Sequence, residues 1–340
     1  MPDKKQKVGL AFQGGGFPAG AIGAGVVKYL VENGAFDKYD IDVFSGTSAG
    51  ALNASVCWGY KLKDEIKKVP EVLEKLWLHN ALGIVHTGLM AQSLKLIDHV
   101  AYMNPAYEFY RDEMVVPVFR GLMKDWVLTY IPVEEWIELR DKATHIPGLL
   151  LGAADVRKGD IKVFTEKHFC LETILASGSL DEVNGLTIIE EGLNKGVYCD
   201  GAWGTNPPIR DLIDYGINEL WFIEVFPKKR ETIPSRPWER LDRKDELWQN
   251  SLVEQELHFI EKVNEWLAIG LLNNPNDRYQ HIEVKRMPME RDLPVGAAFF
   301  NSPAFIREMI DYGHQHAQVF LNGNPELVQK TAERPHLREV

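Results

Sequence analysis

A serine flanked by small residues is the clearest candidate for chemistry in this sequence. Residues 46–50 read Gly-Thr-Ser-Ala-Gly and lie between an apolar run and a segment rich in small residues. This pattern is typical of a nucleophile elbow, in which Gly46 and Gly50 let a strand and a helix approach each other closely. An ordinary tight turn has the same composition. Ser48 is therefore predicted to be a nucleophile only if a base and an oxyanion site accompany it.

Three consecutive glycines, Gly14-Gly15-Gly16, follow the short apolar run Val8–Gln13. The loops at the carboxyl ends of parallel strands share one edge of a sheet, so we expect this loop to lie beside Ser48. Glycine N–H groups can point into a concave site without obstruction by side chains. The sequence thus predicts an oxyanion hole formed by this loop.

The glycine loop also fits a loose dinucleotide-binding fingerprint. In that alternative, Gly14-x-Gly16-x-x-Ala19 would hold a pyrophosphate, and Asp40 or Asp42 would bind the ribose. It would leave the serine turn without a role.

A candidate general base for Ser48 occurs in the segment Asp200-Gly201-Ala202. This segment leaves an apolar stretch and enters a loop rich in glycine and proline, residues 204–208. An Asp-Gly pair most often forms a simple turn. A general base is the alternative interpretation here.

Together, the glycine loop, the serine turn and the aspartate segment resemble, in this order, the patatin-like phospholipase family. Residues 176–180 (Ala-Ser-Gly-Ser-Leu) and the predicted hairpin at 149–164 are also similar to that family. The resemblance implies a Ser48–Asp200 dyad without histidine and a glycine-rich oxyanion loop. It also implies a lipid acyl hydrolase, of the phospholipase A or carboxylesterase type, with a lipid substrate, no cofactor and no metal.

One departure from the family concerns the residues after the triple glycine. The family usually has Arg or Lys two positions later, whereas this chain continues Phe17-Pro18-Ala19-Gly20. A cationic contribution from this loop to an oxyanion or a phosphate is therefore not expected. The departure leaves open a catalytically silent, lipid-binding homologue.

A conventional Ser-His-Asp triad is a further alternative. Its chain order would be satisfied by Ser48, Asp200 and one later histidine. The candidate histidines are His258, His281, His314 and His316.

The elements that must position these residues alternate between strands and helices. Strands are predicted at Val8–Gln13, Ile41–Ser45, Leu149–Ala154 and Leu220–Val225, and helices follow the first two. The resemblance and this order predict an α/β class protein with a three-layer α/β/α patatin-like fold and a mainly parallel central sheet.

The predicted catalytic domain spans residues 7–226. Residues 78–140 form a helical insertion within it, either as a cover of the core or as a methionine-containing rim for an acyl chain. Residues 227–340 are predicted to be a helical, partly exposed extension on the same domain. A charged segment precedes its helical periodicity, which begins at Leu247.

Composition excludes several classes of function. The 340-residue chain carries a formal net charge of −11, which argues against a nucleic-acid partner. Its three scattered cysteines predict neither a disulfide framework nor a zinc site. Without a recognisable secretory signal or an apolar run of about 20 residues, we expect a cytoplasmic protein, peripheral at most at a membrane surface.

Overall fold

A mixed β-sheet forms the centre of the protein. The computed structural model describes residues 5–79, 111–181, 183–274, 279–299 and 301–323. Within these residues the sheet contains eight strands. They are β1 (Lys7–Phe12), β2 (Asp40–Thr47), β3 (Gly148–Asp155), β4 (Asp160–Thr165), β5 (Thr187–Ile189), β6 (Gly196–Asp200), β7 (Glu219–Ile223) and β8 (Glu283–Met287).

The strand order is β5-β6-β3-β2-β1-β7-β8, with β4 paired to β3 beside this path. The pairs from β3 through β2, β1 and β7 to β8 are parallel. The strands β4, β5 and β6 pair in antiparallel orientation. Strands β3 and β4 form the predicted hairpin. The mainly parallel sheet of an α/β protein, expected from the sequence, is confirmed.

Helices cover both faces of the sheet. The α-helices that the structure describes are α1 (Gly16–Glu32), α2 (Ala35–Lys38), α3 (Ala49–Leu62), α4 (Val69–His79), α5 (Val116–Tyr130), α6 (Val133–Lys142), α7 (Leu171–Ser177), α8 (Pro237–Ala268) and α9 (Pro303–Leu321).

Strand residues alternate between two hydrophobic cores. In β1, Leu10 and Phe12 belong to one core and Ala11 to the other. Because successive side chains of a strand point to opposite faces, this alternation places one core on each side of the sheet. The first core includes residues of α1, α3, α4 and α9, and the second includes residues of α8. The result is the predicted three-layer arrangement.

The helices α1 and α9 pack backbone against backbone. A Cβ atom added at Gly25 would overlap the carbonyl oxygen of Ile310, and one added at Gly313 would overlap that of Ile22. Glycine permits this approach because it has no side chain. The last described helix is therefore tightly fitted to the helix that follows the glycine loop.

The C-terminal region differs from its prediction in two ways. Helix α8 begins at Pro237, ten residues before the predicted start, and Arg230 is held against it by ion pairs with Asp242 and Glu246. The region also adds a strand, β8, to the sheet. Charged residues dominate both segments, and the sequence does not show which of these charges are paired.

The predicted helical insertion is partly described. Residues 111–142 contain α5 and α6, and Pro117 and Pro132 lie at the starts of these helices rather than within them. Proline is well tolerated there because the first turn of a helix has unpaired N–H groups anyway. Two methionines of the predicted insertion, Met90 and Met103, lie outside the described residues. Residues 324–340 of the predicted extension also lie outside them.

The close packing of α1 and α9 predicts opposite effects for two glycine substitutions. Gly313→Ala should destabilise the protein by about 1–3 kcal/mol, because its new methyl group overlaps the Ile22 carbonyl. Gly121→Ala, on α5, should stabilise it by about 0.5–1 kcal/mol, because the added Cβ has no described atom within 4 Å. Urea unfolding of both variants tests this. Equal stabilities would contradict the described contact.

Candidate active site

Ser48 lies between β2 and α3 in a strained backbone conformation. Its φ and ψ angles are 57° and −124°, a region that side-chain-bearing residues rarely adopt. A Cβ at Gly46 would overlap the carbonyl oxygen of Gly50, and a Cβ at Gly50 would overlap that of Phe12. The glycines of the Gly-x-Ser-x-Gly pattern therefore serve the close strand–helix contact that the sequence predicted.

The strand pairing brings Asp200 close to the end of β2. Strand β4 occupies one edge of β3 along residues 150–155, so β2 and β6 must share the other edge. On that edge Thr47 pairs with Gly152, and Asp200 pairs with the next residue, Ala153. The last residue of β2 and the last residue of β6 thus meet end to end, immediately before Ser48.

The residues that follow Asp200 are in close contact with the ends of β2 and β3. A Cβ added at Gly201 would lie 2.8 Å from Thr47 Cγ2 and 2.5 Å from the Gly152 carbonyl. Thr47 Oγ1 also donates a hydrogen bond of 2.8 Å to the carbonyl oxygen of Thr205. Asp200 is fully buried, and its Oδ1 atom accepts a 2.8 Å hydrogen bond from the N–H of Ala202.

Ser177 forms hydrogen bonds to the serine turn and to β3. The N–H of Ser48 lies 3.0 Å from the carbonyl oxygen and 3.1 Å from the hydroxyl oxygen of Ser177. The same hydroxyl donates a 2.6 Å hydrogen bond to the carbonyl oxygen of Gly152. Two residues later, the carbonyl oxygen of Ser179 accepts from the N–H of Asp200 at 2.8 Å. One short segment therefore binds both predicted catalytic residues.

The glycine loop lies directly against Ser48. A Cβ atom at Gly14 would be 2.9 Å from Ser48 Cβ. The N–H of Gly14 donates to Asn206 Oδ1 at 2.6 Å, so it is already engaged. Gly15 is the N-cap of α1 and Gly16 is its first residue, and their N–H groups have no acceptor among the described residues. Of the three predicted oxyanion donors, these two remain available.

A small apolar cavity of about 180 Å³ opens at Ser48. Asn184, Asn301 and Ser48 itself are its polar side chains. Its apolar side chains come mainly from α1, α3, α4, α5 and the loop after α7: Phe17, Leu52, Trp77, Phe119, Leu122, Met123, Trp126, Leu180 and Val183. Such a surface can accommodate a hydrocarbon chain beside the serine hydroxyl.

A larger cleft, of about 310 Å³, lies at the opposite edge of the sheet. Its lining includes Lys5, Lys7, Asp40 and Asn218, at the amino ends of β1, β2 and β7. These residues are polar and far from the serine turn. The smaller cavity is therefore the one associated with the candidate chemistry.

The positions of the two early aspartates disagree with the dinucleotide alternative. Asp40 is the first residue of β2 and lines the larger cleft, and Asp42 is buried and paired with His145 at 2.9 Å. The glycine loop follows the carboxyl end of β1. A ribose-binding carboxylate would need to lie at that same edge.

Three of the four candidate triad histidines have carboxylate partners elsewhere, and the fourth, His281, is exposed. His258 pairs with Glu261, His316 with Glu290, and His314 Nε2 lies 3.0 Å from Glu32 at the far end of α1. No histidine is among the described residues that line the cavity. These contacts favour the histidine-free arrangement over the triad.

Other potential nucleophiles and ligands fit the site less well. Burial raises the pKa of the Cys57 thiol, and burial likewise raises that of Cys170, so both are protonated at neutral pH. Within the described ranges, no three His, Cys, Asp or Glu side chains come together as a metal site. No helix in the same ranges has the length and apolar character needed to span a membrane.

Sequence reasoning missed two residues beside the site. Asn206 binds the glycine loop, and Gln249 binds both Asn206 and the aspartate segment. Asn206 had a weak signal, because it follows the aspartate segment within a turn-rich loop. Gln249 had none, since it lies in a charged helical stretch 49 positions after Asp200.

The strained conformation of Ser48 predicts a gain in stability when its side chain is removed completely. Ser48→Gly should unfold with a free energy about 1 kcal/mol higher than Ser48→Ala, because alanine keeps the Cβ atom and hence the strain. Urea unfolding measures the difference. If the glycine variant is no more stable than the alanine variant, the strain at Ser48 is contradicted.

A family model matches the part of the chain that contains the glycine loop and Ser48. Residues 10–125, about a third of the chain, match the family model described as patatin-like phospholipase. No curated protein sequence matches the chain significantly. The matched segment contains the glycine loop and Ser48 but ends before Asp200.

Two solved structures are similar in outline at low sequence identity. VipD from Legionella pneumophila has a TM-score of 0.42 and 14% identity, over 94% of this chain and 67% of that protein. The type III effector protein ExoU has a TM-score of 0.35 and 13% identity, over 94% of this chain. The chain spans 53% of the length of ExoU. The resemblance predicted from the motifs is confirmed by the family match: the segment that holds the glycine loop and Ser48 is similar to the patatin-like phospholipases.

Proposed function

We propose that this protein is a lipid acyl hydrolase that uses Ser48 as nucleophile and Asp200 as general base. The observation that carries the proposal is the meeting of β2 and β6 on one edge of β3, with Thr47 and Asp200 on consecutive partner residues. The family match of residues 10–125 supports lipid ester hydrolysis in general. The assignment of the dyad is our own inference.

In the proposed reaction, Asp200 accepts the hydroxyl proton as Ser48 Oγ attacks the ester carbonyl carbon. The carbonyl oxygen becomes an oxyanion, which the N–H groups of Gly15 and Gly16 stabilise. The intermediate collapses, the alcohol leaves with the proton from Asp200, and an acyl-serine ester remains. Asp200 then removes a proton from water, and the resulting attack releases the fatty acid and restores Ser48.

The oxyanion site would act through the backbone and not through a side-chain cation. The loop has no Arg or Lys after the triple glycine, where the related family usually has one. Its Phe17 packs on Trp77 and Trp126. The positive end of α1 adds to the two amides because its first N–H groups have no partners within the helix. This composition suits an ester carbonyl, and it provides no charge from this loop for a phosphate head group.

The cavity at Ser48 provides the proposed site for the acyl chain. Phe119, Met123 and Trp126 line it from α5 at spacings of four and three residues, so they share one helical face. Methionine adapts to flexible hydrocarbon chains because its side chain is unbranched and polarisable. Lipid esters with an extended acyl chain are therefore the proposed substrate class.

The dyad predicts a specific pattern of inactivation. Ser48→Ala and Asp200→Asn should each lose nearly all hydrolysis of p-nitrophenyl esters and phospholipids, by about 10³-fold or more. A combined variant with alanine at His258, His281, His314 and His316 should keep its activity. A fluorophosphonate probe should label the wild type at Ser48 and leave Ser48→Ala unlabelled.

The alternatives give different results in the same assays. Loss of activity in the histidine variant would favour a Ser-His-Asp triad. A wild type that binds lipid but neither hydrolyses esters nor reacts with the probe would be the silent homologue. Either result would contradict the proposed dyad enzyme.

The acyl cavity predicts a change in chain-length preference. Met123→Trp should reduce kcat/KM for p-nitrophenyl decanoate by about tenfold relative to p-nitrophenyl acetate, because the larger ring fills part of the cavity. Lys124→Trp adds the same ring at the exposed neighbouring position and should leave the ratio unchanged. Equal ratios in both variants would contradict this location for the acyl chain.

A further inference from the structure

Two buried side-chain amides connect the glycine loop to the aspartate segment. Asn206 Oδ1 accepts from the N–H of Gly14 at 2.6 Å, and Asn206 Nδ2 donates to the Gly14 carbonyl oxygen at 3.1 Å. Asn206 Nδ2 also donates to Gln249 Oε1 at 2.7 Å. Gln249 Nε2 donates in turn to the Ala202 carbonyl oxygen at 3.0 Å. Three segments of the chain, the glycine loop, the loop of residues 200–206 and helix α8, are thereby joined in one network.

Chemistry permits this network in only one orientation. The N–H of Gly14 can only donate, and the carbonyl oxygens of Gly14 and Ala202 can only accept. Asn206 must therefore present Oδ1 to the N–H and Nδ2 to the carbonyl and to Gln249. Gln249 is then left with Nε2 for Ala202. A rotated amide at either position would place like groups against each other.

Burial makes these bonds costly to lose. Asn206 is 1% exposed and Gln249 is 7% exposed. Water cannot freely replace a missing partner in such surroundings, so an unpaired amide or carbonyl group would force the loops to shift. The network therefore restricts where the glycine loop and the aspartate segment can lie relative to each other.

Gln249 is connected to the proposed general base through Ala202 and to the glycine loop through Asn206. Its Nε2 atom donates a hydrogen bond to the carbonyl oxygen of Ala202, and the N–H of Ala202 donates one to Asp200 Oδ1 at 2.8 Å. Its Oε1 atom accepts a hydrogen bond from Asn206, which in turn bonds to both the N–H and the carbonyl oxygen of Gly14. Gly14 immediately precedes the two amides available for the oxyanion.

We propose that Gln249 is a positioning residue for acyl transfer. Through Asn206 and Ala202 it fixes the distance between the oxyanion amides and the general base, and it does so from helix α8, well outside the segment that matches the family model. This inference rests on the proposed function. Gln249 is not among the residues that line the Ser48 cavity, so its effect is exerted on geometry and not on substrate binding.

The test replaces Gln249 with methionine, which has a similar shape but cannot form either hydrogen bond. Gln249→Met should lower kcat by about tenfold or more with KM changed by less than about twofold, because small displacements of reacting groups cost rate rather than affinity. The matched control is Gln255→Met. Gln255 lies on the same helix and is exposed, and its Nε2 atom contacts Ser251, one turn earlier.

Rates must be divided by the concentration of reactive Ser48, titrated with a fluorophosphonate. A merely structural role would reduce the number of titrated sites and leave kcat per site at the wild-type value. The proposal requires kcat per site to fall in Gln249→Met and to remain unchanged in Gln255→Met. If Gln249→Met does not fold, Gln249→Glu, which retains the acceptor but not the amide donor, is measured in the same way.

The outcomes separate this inference from the proposed function. An active, labelled wild type together with an unchanged kcat per site in the Gln249 variant overturns the positioning role alone. A wild type that is neither active nor labelled overturns the proposed function and the positioning role with it.

Discussion

The site depends on the way in which two strands share one edge of β3. Strand β2 occupies the first part of that edge and β6 the next, so that Thr47 and Asp200 face consecutive residues, Gly152 and Ala153. The antiparallel pairing of β4 along the other edge enforces this arrangement, because a strand has only two edges for hydrogen bonding. The serine turn and the aspartate loop are therefore neighbours through backbone pairing, before any side chain is considered.

Side-chain hydrogen bonds then position the serine turn, the aspartate loop and the glycine loop relative to one another. Ser177 supports the N–H of Ser48, Thr47 binds the loop at Thr205, and Asn206 joins that loop to Gly14. All are hydrogen bonds to backbone groups in a buried or partly buried region, where they are directional and costly to break. The strain at Ser48 is compatible with folding because large hydrophobic cores cover both faces of the sheet.

The sequence predicted the parts of the site that obey local rules. The serine turn needs small residues at fixed spacing, so its pattern was visible, and the glycine loop was visible for the same reason. Asp200 became a candidate through resemblance, since an Asp-Gly pair has no distinctive local signal. Residues that act through distant partners were not predictable: Gln249 lies in a charged helical stretch, and Arg286 of β8 is buried against Glu224 at 2.7 Å. Their burial depends on contacts between segments far apart in the chain.

The central claim is that the hydroxyl of Ser48, the carboxylate of Asp200 and the amides of Gly15 and Gly16 surround one point. A crystal structure of the fluorophosphonate adduct tests this most directly. We expect phosphorus bonded to Ser48 Oγ, with the phosphoryl oxygen about 2.7–3.1 Å from both amides and the Asp200 carboxylate beside Ser48 Oγ. A phosphoryl oxygen directed away from the glycine loop, or Asp200 separated from the adduct by intervening protein, would contradict it.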